Sequence, residues 1–385
     1  MVTAYQQLCP VIFGAGALSE LGEKAKEMDV KHVFCICDAG VKSTGMADRV
    51  RDILAKEGID TCVFDGVLPD APNRIVEEAG KIANDFLADM ILGIGGGSSL
   101  DTAKSVAVLR DNPAPISQYY LSKGGKFQMN TPLVLIPTAS GTGSEVTAMS
   151  VIHDEHSNAK EAVMRPADLA IVDPELTVTA PPGITAATAL DALAHAVEAY
   201  TSLGHSPNSD MQALEAIRLI GEYLVPAYTD GSNMEARTKL AFASNIAGMA
   251  FNDASVHFGH AAAHELGIRF HIPHGVACAL TLPVVIHFSA DVMPERIRKI
   301  AEALGMKNAA GVTADEAETF AIATITDLMR TVKVRSLKEQ GLKKEEVMGC
   351  ARGAVEKNAF IVASPKEVTI PVMEKLLEEM YVMYE

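Results

Sequence analysis

The chain has no run of lysine and arginine, and acidic residues outnumber basic ones 49 to 33, for a formal net charge of −16. That excess excludes a nucleic-acid partner, because a phosphate backbone calls for clustered cations. No apolar run is long enough to span a bilayer, which excludes a membrane helix. The stretch from Met1 to Phe13 lacks the basic start and apolar core of a secretory leader. The six cysteines, Cys9, Cys35, Cys37, Cys62, Cys278 and Cys350, are scattered and form no C-x-x-C pair. This excludes a zinc ribbon or a disulfide framework and fits reduced thiols in the cytoplasm. Cys35 and Cys37 alternate inside an apolar strand pattern, where cysteine serves as a small hydrophobe. No internal repeat or low-complexity tract is present.

What is present suits two domains. The 385 residues include 48% hydrophobic and 21% charged residues, enough for large cores. Strand patterns at Lys31–Cys37, Asp60–Phe64, Met90–Ile94 and Pro132–Pro137 alternate with helical patterns at Ala47–Gly58, Asn73–Phe86 and Leu100–Arg110. That alternation predicts an α/β domain with a parallel, Rossmann-like sheet, whose ligands lie at the carboxyl ends of the strands. The character changes at Ala180-Pro181-Pro182-Gly183. Beyond it lie only helical patterns: Ile184–Tyr200, Asp210–Tyr223, Met234–Phe251, Ser255–Leu266, Glu295–Leu304, Ala314–Val332, Lys344–Lys357 and Lys366–Tyr381. The boundary falls at the Pro-Pro-Gly break, giving domains 1–182 and 183–385, the second all-helical.

In the first half, the strand ending at Ile94 runs into Gly95-Gly96-Gly97-Ser98-Ser99 and then a helix. Glycines let a backbone approach a pyrophosphate, and the helix supplies free N–H groups and a positive dipole end. Ser98 and Ser99 can cap that helix and also donate to phosphate. A tight turn is the plainer alternative. Phe13-Gly14-Ala15-Gly16-Ala17-Leu18 imitates the pattern but has no βαβ unit behind it, so it reads as a turn. Asp38 follows the strand ending at Cys37. Its carboxylate can accept from ribose hydroxyls and repels a 2′-phosphate, favouring NAD over NADP, although Asp also caps helices. The acid precedes the glycines here, whereas the common fingerprint places it about twenty residues after them. A second polar loop, Thr138 to Thr147, offers hydroxyls and amides to a cofactor or forms an ordinary turn.

The helical half carries the metal chemistry. Asp191 and His195 are spaced i, i+4, as are His260 and His264, and Pro273-His274-Gly275 follows. Residues four apart share a helix face, and these sit among Ala and Leu, where a buried acid or imidazole needs a partner. Any one of the 11 histidines is more simply a satisfied core residue. Four in repeated spacing with an aspartate point to a Fe²⁺ or Zn²⁺ site with an open position for a water or substrate oxygen. His257 and His271 lie near enough in sequence to support the ligands, while His32, His153, His156 and His205 read as surface residues.

With these motifs in place the chain resembles the iron-containing alcohol dehydrogenases over nearly its whole length. The resemblance rests on Asp191-Ala-Leu-x-His195-x-x-Glu198-Ala-Tyr200, Gly259-His260-x-x-x-His264 and Pro273-His274-Gly275-Val276. It rests also on Gly95-Gly-Gly-Ser-x-x-Asp101-x-x-Lys104, Thr142-Gly-Ser-Glu-Val-Thr147 and Ser364-Pro365-x-x-Val368-Thr369. It implies a dehydroquinate synthase-like architecture, an α/β nucleotide domain and an all-α metal domain with the active site in the cleft between them. It implies Fe²⁺, or Zn²⁺ in its place, held by Asp191, His195, His260 and His274, with His264 near the nicotinamide. Asp38, Gly95, Gly96, Gly97, Ser98, Asp101, Thr138, Thr142, Thr147 and Lys160 match the family's cofactor positions. The family commonly forms dimers or larger homo-oligomers. Two residues depart from its pattern: Glu265 stands where Pro or Gln is frequent, and Asp70 where Asn is.

The expected reaction is hydride transfer between NAD and a small primary alcohol or diol and its aldehyde. Lewis acidity comes from the cation, and His264 is the candidate proton relay. A glycerol dehydrogenase-like polyol enzyme is the nearest alternative. A metallohydrolase would have no use for the Gly95–Ser99 loop, and a nucleotide-binding or metal-storage protein would not need both sites together. Substrate length is not written in these motifs, since one methylene in a pocket shifts specificity only modestly.

Overall fold

The computed structural model describes residues 5–384, so the first four residues of the Met1–Phe13 stretch lie outside it. The chain divides into two compact units. Gln6–Ala139 and Gly143–Ala180 form one, and Ser140–Thr142 joins the helices from Pro181 onward in the other.

The first unit has eight strands: β1 (Val11–Phe13), β2 (His32–Asp38), β3 (Asp60–Val67), β4 (Met90–Gly95), β5 (Leu133–Pro137), β6 (Met149–Asp154), β7 (Ala159–Met164) and β8 (Leu169–Val172). Six of them pair in parallel in the order β1-β8-β5-β4-β2-β3, while β6 and β7 form a separate antiparallel ribbon. The central strands Met-Ile-Leu-Gly-Ile-Gly and Leu-Val-Leu-Ile-Pro are buried at every position, as strands covered on both faces must be. Between them run α1 (Leu21–Glu27), α2 (Ala39–Ser43), α3 (Met46–Lys56), α4 (Asn73–Asp85) and α5 (Gly97–Asp111). In α4, Ile75, Val76, Ala79 and Ala83 bury one stripe, whereas α5 is buried almost throughout from Ser99 to Leu109. The chain runs outward from β2 to β3, then returns past β2 and runs the other way from β4 to β5. The order therefore reverses between β2 and β4, and a crevice at their carboxyl ends is where such sheets take ligands.

The four strands expected from sequence are β2 to β5. The edge strand β1 and its neighbour β8, the β6–β7 ribbon and the short helices α1 and α2 were not expected, being too short or too mixed in polarity to show a period. One expectation is corrected. Helix α5 begins at Gly97, not Leu100, with Gly96 as its cap and no side-chain capping bond. Ser98 and Ser99 therefore lie inside the first turn and do not cap it. Gly95 at φ 151° turns the chain straight into the helix, a conformation L side chains rarely adopt. The segment Phe13–Leu18 is the turn expected of it. Its amides at Gly16 and Leu18 are taken by the two oxygens of Asp173, 3.1 Å from each, so that nest of donors already holds a carboxylate.

The second unit is helical throughout its described residues: α6 (Pro182–Thr201), α7 (Pro207–Thr229), α8 (Met234–Ala254), α9 (Phe258–Phe270), α10 (His274–Ala290), α11 (Pro294–Ala303), α12 (Ala314–Thr331), α13 (Lys344–Met348), α14 (Ala351–Glu356) and α15 (Ile370–Met383). Alanines at 189, 192, 194, 196, 199, 243, 247, 261, 262 and 263 fill its core and let the helices approach closely. Starts follow local chemistry. Ser206 and Ser209 close a capping box before α7, and Thr313 with Glu316 does so before α12.

Three boundaries differ from the sequence pattern. Ser255 sits at φ 68° and ends α8, so the helix carrying His260 starts at Phe258. Lys344–Lys357 is two helices broken at Gly349-Cys350, and the last helix starts at Ile370, after Thr369. Helix α10 was not expected at all. It is apolar on every side and contains Pro283, so no stripe betrays it. Among the described residues no helix is long and apolar enough to cross a membrane, and all six cysteines are free thiols.

Candidate metal and nucleotide sites

Helix α6 carries Asp191, His195 and Glu198 at spacings of four and three, all buried among alanine and leucine. His260 comes from the first turn of α9 and His274 is the first residue of α10. Asp191 Oδ1 lies 3.5 Å from His274 Nε2 and 3.9 Å from His260 Nε2. The His195 ring stacks on His260 at 4.6 Å between centroids and on Phe251 at 4.2 Å. The helices come this close because of Gly275. A Cβ there would meet the Ala187 carbonyl oxygen of α6 at 2.1 Å, so only glycine lets the start of α10 settle beside Asp191.

Three buried atoms in this group have no hydrogen-bond partner: Asp191 Oδ1, His195 Nδ1 and His260 Nε2. Leaving such atoms unmatched costs about 1–3 kcal/mol each. A cation satisfies acceptor atoms of this kind, and carboxylate with imidazole is a donor set suited to Fe²⁺ or Zn²⁺. The residues present therefore fit a divalent metal. The donor atoms of Asp191, His260, His274 and Cys278 all lie within 4.8 Å of one another. Sequence reasoning had His195, not Cys278, in the set. The sulfur was read only as a scattered thiol, although its i, i+4 spacing from His274 was the available signal.

Glu198 is the second residue whose part was missed, despite lying in a quoted motif. Its carboxylate, wholly buried, takes His260 Nδ1 at 2.6 Å and the backbone N–H of His257 at 2.7 Å. The His257 ring lies 3.2 Å away and reaches Thr201 Oγ1 at 2.9 Å through Nε2. A Cβ on Gly259 would strike Glu198 Oε1 at 2.6 Å, which accounts for the glycine before His260. Burial disfavours the ionised form of Glu198, but His260 and His257 outweigh it and hold the carboxyl down at about 2. Burial likewise opposes a charge on His260, but Glu198 and then Asp191 raise it above the ordinary value. Burial dominates at His195 and His257, which fall to about 3 and about 4.

His264 lies on α9 with its ring 5.3 Å from that of His274. Its Nδ1 accepts from Asn358 Nδ2 at 2.9 Å, and the amide is oriented by its Oδ1, which accepts from the Phe360 N–H at 3.2 Å. Asn358, absent from the sequence reading, thus fixes which ring nitrogen bears the proton. Of the two supporting histidines, His257 is in the network, whereas His271 is exposed at the end of α9 in a left-handed conformation, φ 55°. Glu265 turns away from the cluster. It pairs with Arg269 at 3.0 Å, and a Cβ on Gly353 of α14 would meet its Oε2 at 2.1 Å.

In the first unit, Asp38, Gly95 and Thr138 stand at the ends of three neighbouring strands, β2, β4 and β5. Asp38 Oδ1 accepts from the Val41 N–H at 2.9 Å, and Oδ2 accepts from Ser99 Oγ at 3.3 Å. The Thr138 N–H donates to the Gly95 carbonyl at 3.0 Å. Gly96, Gly97 and Ser98 lead into α5, and Ser98 Oγ accepts from the Asp70 N–H at 3.1 Å. Lys160 on β7 pairs with the Asp70 carboxylate. Asp101 faces inward instead. It accepts from Ser144 Oγ at 2.6 Å and the Val151 N–H at 3.1 Å, and burial raises it above the ordinary carboxyl value. Lys104 is wholly buried beside it, donating to the Met149 carbonyl at 2.7 Å and Thr147 Oγ1 at 3.3 Å. Burial lowers it to about 8. Thr142 belongs to the Ser140–Thr142 segment that groups with the helical unit.

Comparison with known proteins agrees along the length of the chain. Residues 10–174 match the iron-containing alcohol dehydrogenase family, and residues 185–381 match the C-terminal part of the Fe-containing alcohol dehydrogenase family. Long-chain-alcohol dehydrogenase 1 of Geobacillus thermodenitrificans is 37% identical over 96% of this chain and 93% of its own. The NAD-dependent methanol dehydrogenase of Bacillus methanolicus is 33% identical over 95% of this chain and 97% of its own. The crystal structure of a 1,3-propanediol oxidoreductase matches with a TM-score of 0.93 at 32% identity, covering 98% of this chain and 100% of that one.

Proposed function

The chain belongs to the iron-containing alcohol dehydrogenase family, and we propose that it oxidises small primary alcohols or diols with NAD at a site built from Asp191, His195, His260 and His274. Residues 1–182 serve the dinucleotide in this reading and residues 183–385 the metal. The observation that carries it is the set of orphaned buried donor atoms around Asp191, which a divalent cation satisfies. Relatives are named for methanol and for long-chain alcohols, and a structural neighbour for 1,3-propanediol, so what they share is the alcohol carbinol rather than a chain length. Fe²⁺ is the proposed resident ion with Zn²⁺ as its competitor. A dimer or larger homo-oligomer in the cytoplasm is the proposed setting, consistent with six free thiols.

When bound, the cation supplies Lewis acidity that favours ionisation of the alcohol, while the nicotinamide takes the hydride. The chain's own residues prepare both. Glu198 accepts the Nδ1 proton of His260, fixing the tautomer whose Nε2 lone pair faces Asp191. Asn358 donates to His264 Nδ1, so the neutral ring holds its proton at Nε2 and presents it as a donor. Carrying a proton through that ring requires the Asn358 contact to open. Asp38 offers its carboxylate to ribose hydroxyls at the end of β2, and its charge disfavours a 2′-phosphate. The first turn of α5, starting at Gly97, offers a pyrophosphate the backbone amides that a helix start leaves without intrahelical partners. Lys104 ties α5 to the loop bearing Thr147.

The test is to purify the protein without oxygen, strip its metal and restore Fe²⁺ or Zn²⁺ separately. NAD and a panel of short alcohols and diols are then supplied, and NADH is recorded. NADH formation that disappears on stripping and returns with one ion is the expected result. A folded, metal-loaded protein that forms no NADH with any alcohol overturns the reading.

A further inference from the structure

We propose that Asp70 is a specificity-determining residue for the cofactor: by holding the Lys160 ammonium beside the start of α5, it adds to Asp38 a second barrier against a dinucleotide bearing a 2′-phosphate. This rests on the reading above that a dinucleotide binds at the carboxyl ends of β2, β4 and β5, and every group it uses lies in the first unit.

Asp38 ends β2 and pairs in register with Val67, the last residue of β3. Asp70 follows Val67 by three residues and comes back onto the same helix start. Its N–H donates to Ser98 Oγ at 3.1 Å, while Asp38 Oδ2 accepts from Ser99 Oγ at 3.3 Å. Two acids thus flank two successive residues of the turn read above as the pyrophosphate site. Because Ser98 accepts from Asp70, its hydroxyl proton remains to be given to a phosphate oxygen.

The conformation of Asp70 is imposed on it. Asp70 and Ala71 are consecutive non-glycine residues in the left-handed region, at φ 65° and 47°. Such backbone persists only where the surroundings over-determine it, and it gathers at functional sites. The β6–β7 ribbon supplies the restraint. The His153 N–H is shared between the carbonyls of Asp70 and Ala71, at 3.1 and 3.3 Å. Lys160, the register partner of His153, pairs with the Asp70 carboxylate. One cross-strand pair of the ribbon therefore grips both the backbone and the side chain of Asp70.

Stability does not account for the ion pair, since pairs open to solvent contribute little. The Asp70 side chain is 57% exposed, whereas that of Lys160 is 17% exposed, so the cation is drawn in and its anion faces outward. The pair is neutral as a unit. A phosphate monoester carries about −1.5 to −2 charges near neutrality. Arriving on a ribose held at Asp38, it meets two carboxylates and an ammonium already matched. A ribose with a free 2′-hydroxyl presents only donors there, which Asp38 accepts. The competing role is a brace that only fastens the ribbon, and it makes no distinction between the two cofactors.

The experiment titrates the full-length protein with NADH and with NADPH, without alcohol or aldehyde, and reads the anisotropy of the reduced nicotinamide emission. Asp70→Asn removes the charge and keeps a side chain that tolerates the left-handed backbone. Circular dichroism establishes that the variants fold. The expected result is a ratio of NADPH to NADH dissociation constants about tenfold lower in Asp70→Asn than in the wild type, a gain that shrinks with added salt. In Asp70→Asn combined with Lys160→Met the ratio is expected to return towards the wild-type value. A ratio unchanged in Asp70→Asn, whether both affinities move together or neither moves, overturns the specificity role and leaves the dinucleotide site standing. A gain that survives in the double variant overturns the part assigned to Lys160. No binding of either nucleotide by the wild type overturns the dinucleotide reading itself.

Discussion

Glu198 shows how much a residue can do without touching the reacting atoms. Its carboxylate fixes the tautomer of His260 through a 2.6 Å bond and also holds the His257 amide. Glu198→Gln keeps the volume but removes the charge. Metal affinity is expected to fall about 10–100-fold, measured by competition with a chelator, with little change in the secondary structure of the metal-free protein. Unchanged affinity would show that the bond is a packing feature only. Asn358 acts on His264 in the same indirect way. Replacing it by Asp substitutes an acceptor for a donor at Nδ1 and reverses the proton's place on the ring. Turnover and its pH profile are expected to change in Asn358→Asp. Once His264→Ala is present, adding Asn358→Asp is expected to have no further effect, as for residues acting as one unit. Additive losses would separate the two. Asp191, His195, His260 and His274 stood out in the sequence because a helix repeats its face every three or four residues. Asn358 and Cys278 were not legible. One lies 94 residues from its partner, and the other is a residue type whose ordinary place is the core.

Helices α6 and α10 meet at a point where there is room only for a hydrogen on the Gly275 Cα. Gly275→Ala would place a methyl against a backbone oxygen, and neither helix can yield by rotating a side chain. The expected cost is about 1–3 kcal/mol, the usual penalty of overpacking, read as a lower denaturation midpoint. Metal binding should weaken beyond what that stability loss explains, because His274 moves with the helix. A variant that binds metal as tightly as the wild type would show that the ligands adjust independently of the helix start. Gly353→Ala is a control at similar closeness. Its added Cβ would meet the end of the Glu265 side chain, which can swing aside and lies away from the cluster, so stability should fall less than in Gly275→Ala while metal affinity holds. The contrast explains why α10 escaped sequence reading. Its residues are chosen for burial on all sides and for close approach, so they leave no polar stripe to count. In the first unit the strands β2 to β5 were legible for the opposite reason, since short apolar runs bounded by turns have one common meaning. The strands β1 and β8, three and four residues long, offer too little pattern to read.

Across the whole molecule, the buried titratable groups set how stability depends on acidity. In the metal-free protein His195 and His257 sit at about 3 and about 4, against an ordinary 6.5, because burial opposes their charge. Glu198 sits at about 2 against 4.5, held down by the two histidines despite burial. In each case the unfolded chain binds more protons than the folded one in the interval between the two values. Their contributions are therefore complete above pH 6.5 for the histidines and above 4.5 for Glu198, and are lost as pH falls through those intervals. His260, raised by Glu198, has the opposite sign and loses its contribution as pH rises through its folded value. Lys104, lowered to about 8 by burial, adds stability as pH climbs from 8 towards 10.5, since only the unfolded chain still holds that proton. The urea midpoint of the metal-free protein is therefore expected to fall steeply below pH 6.5. A midpoint that stayed level from pH 7 to pH 4 would show that the buried histidines are solvated or already charged. Adding metal should oppose this loss near neutrality, because ligand imidazoles must be neutral to bind and the ion binds the folded chain alone. At a free concentration 100 times its dissociation constant the gain is about 2.7 kcal/mol, and it should shrink with acidification as protons compete with the ion for the imidazole nitrogens of the proposed site.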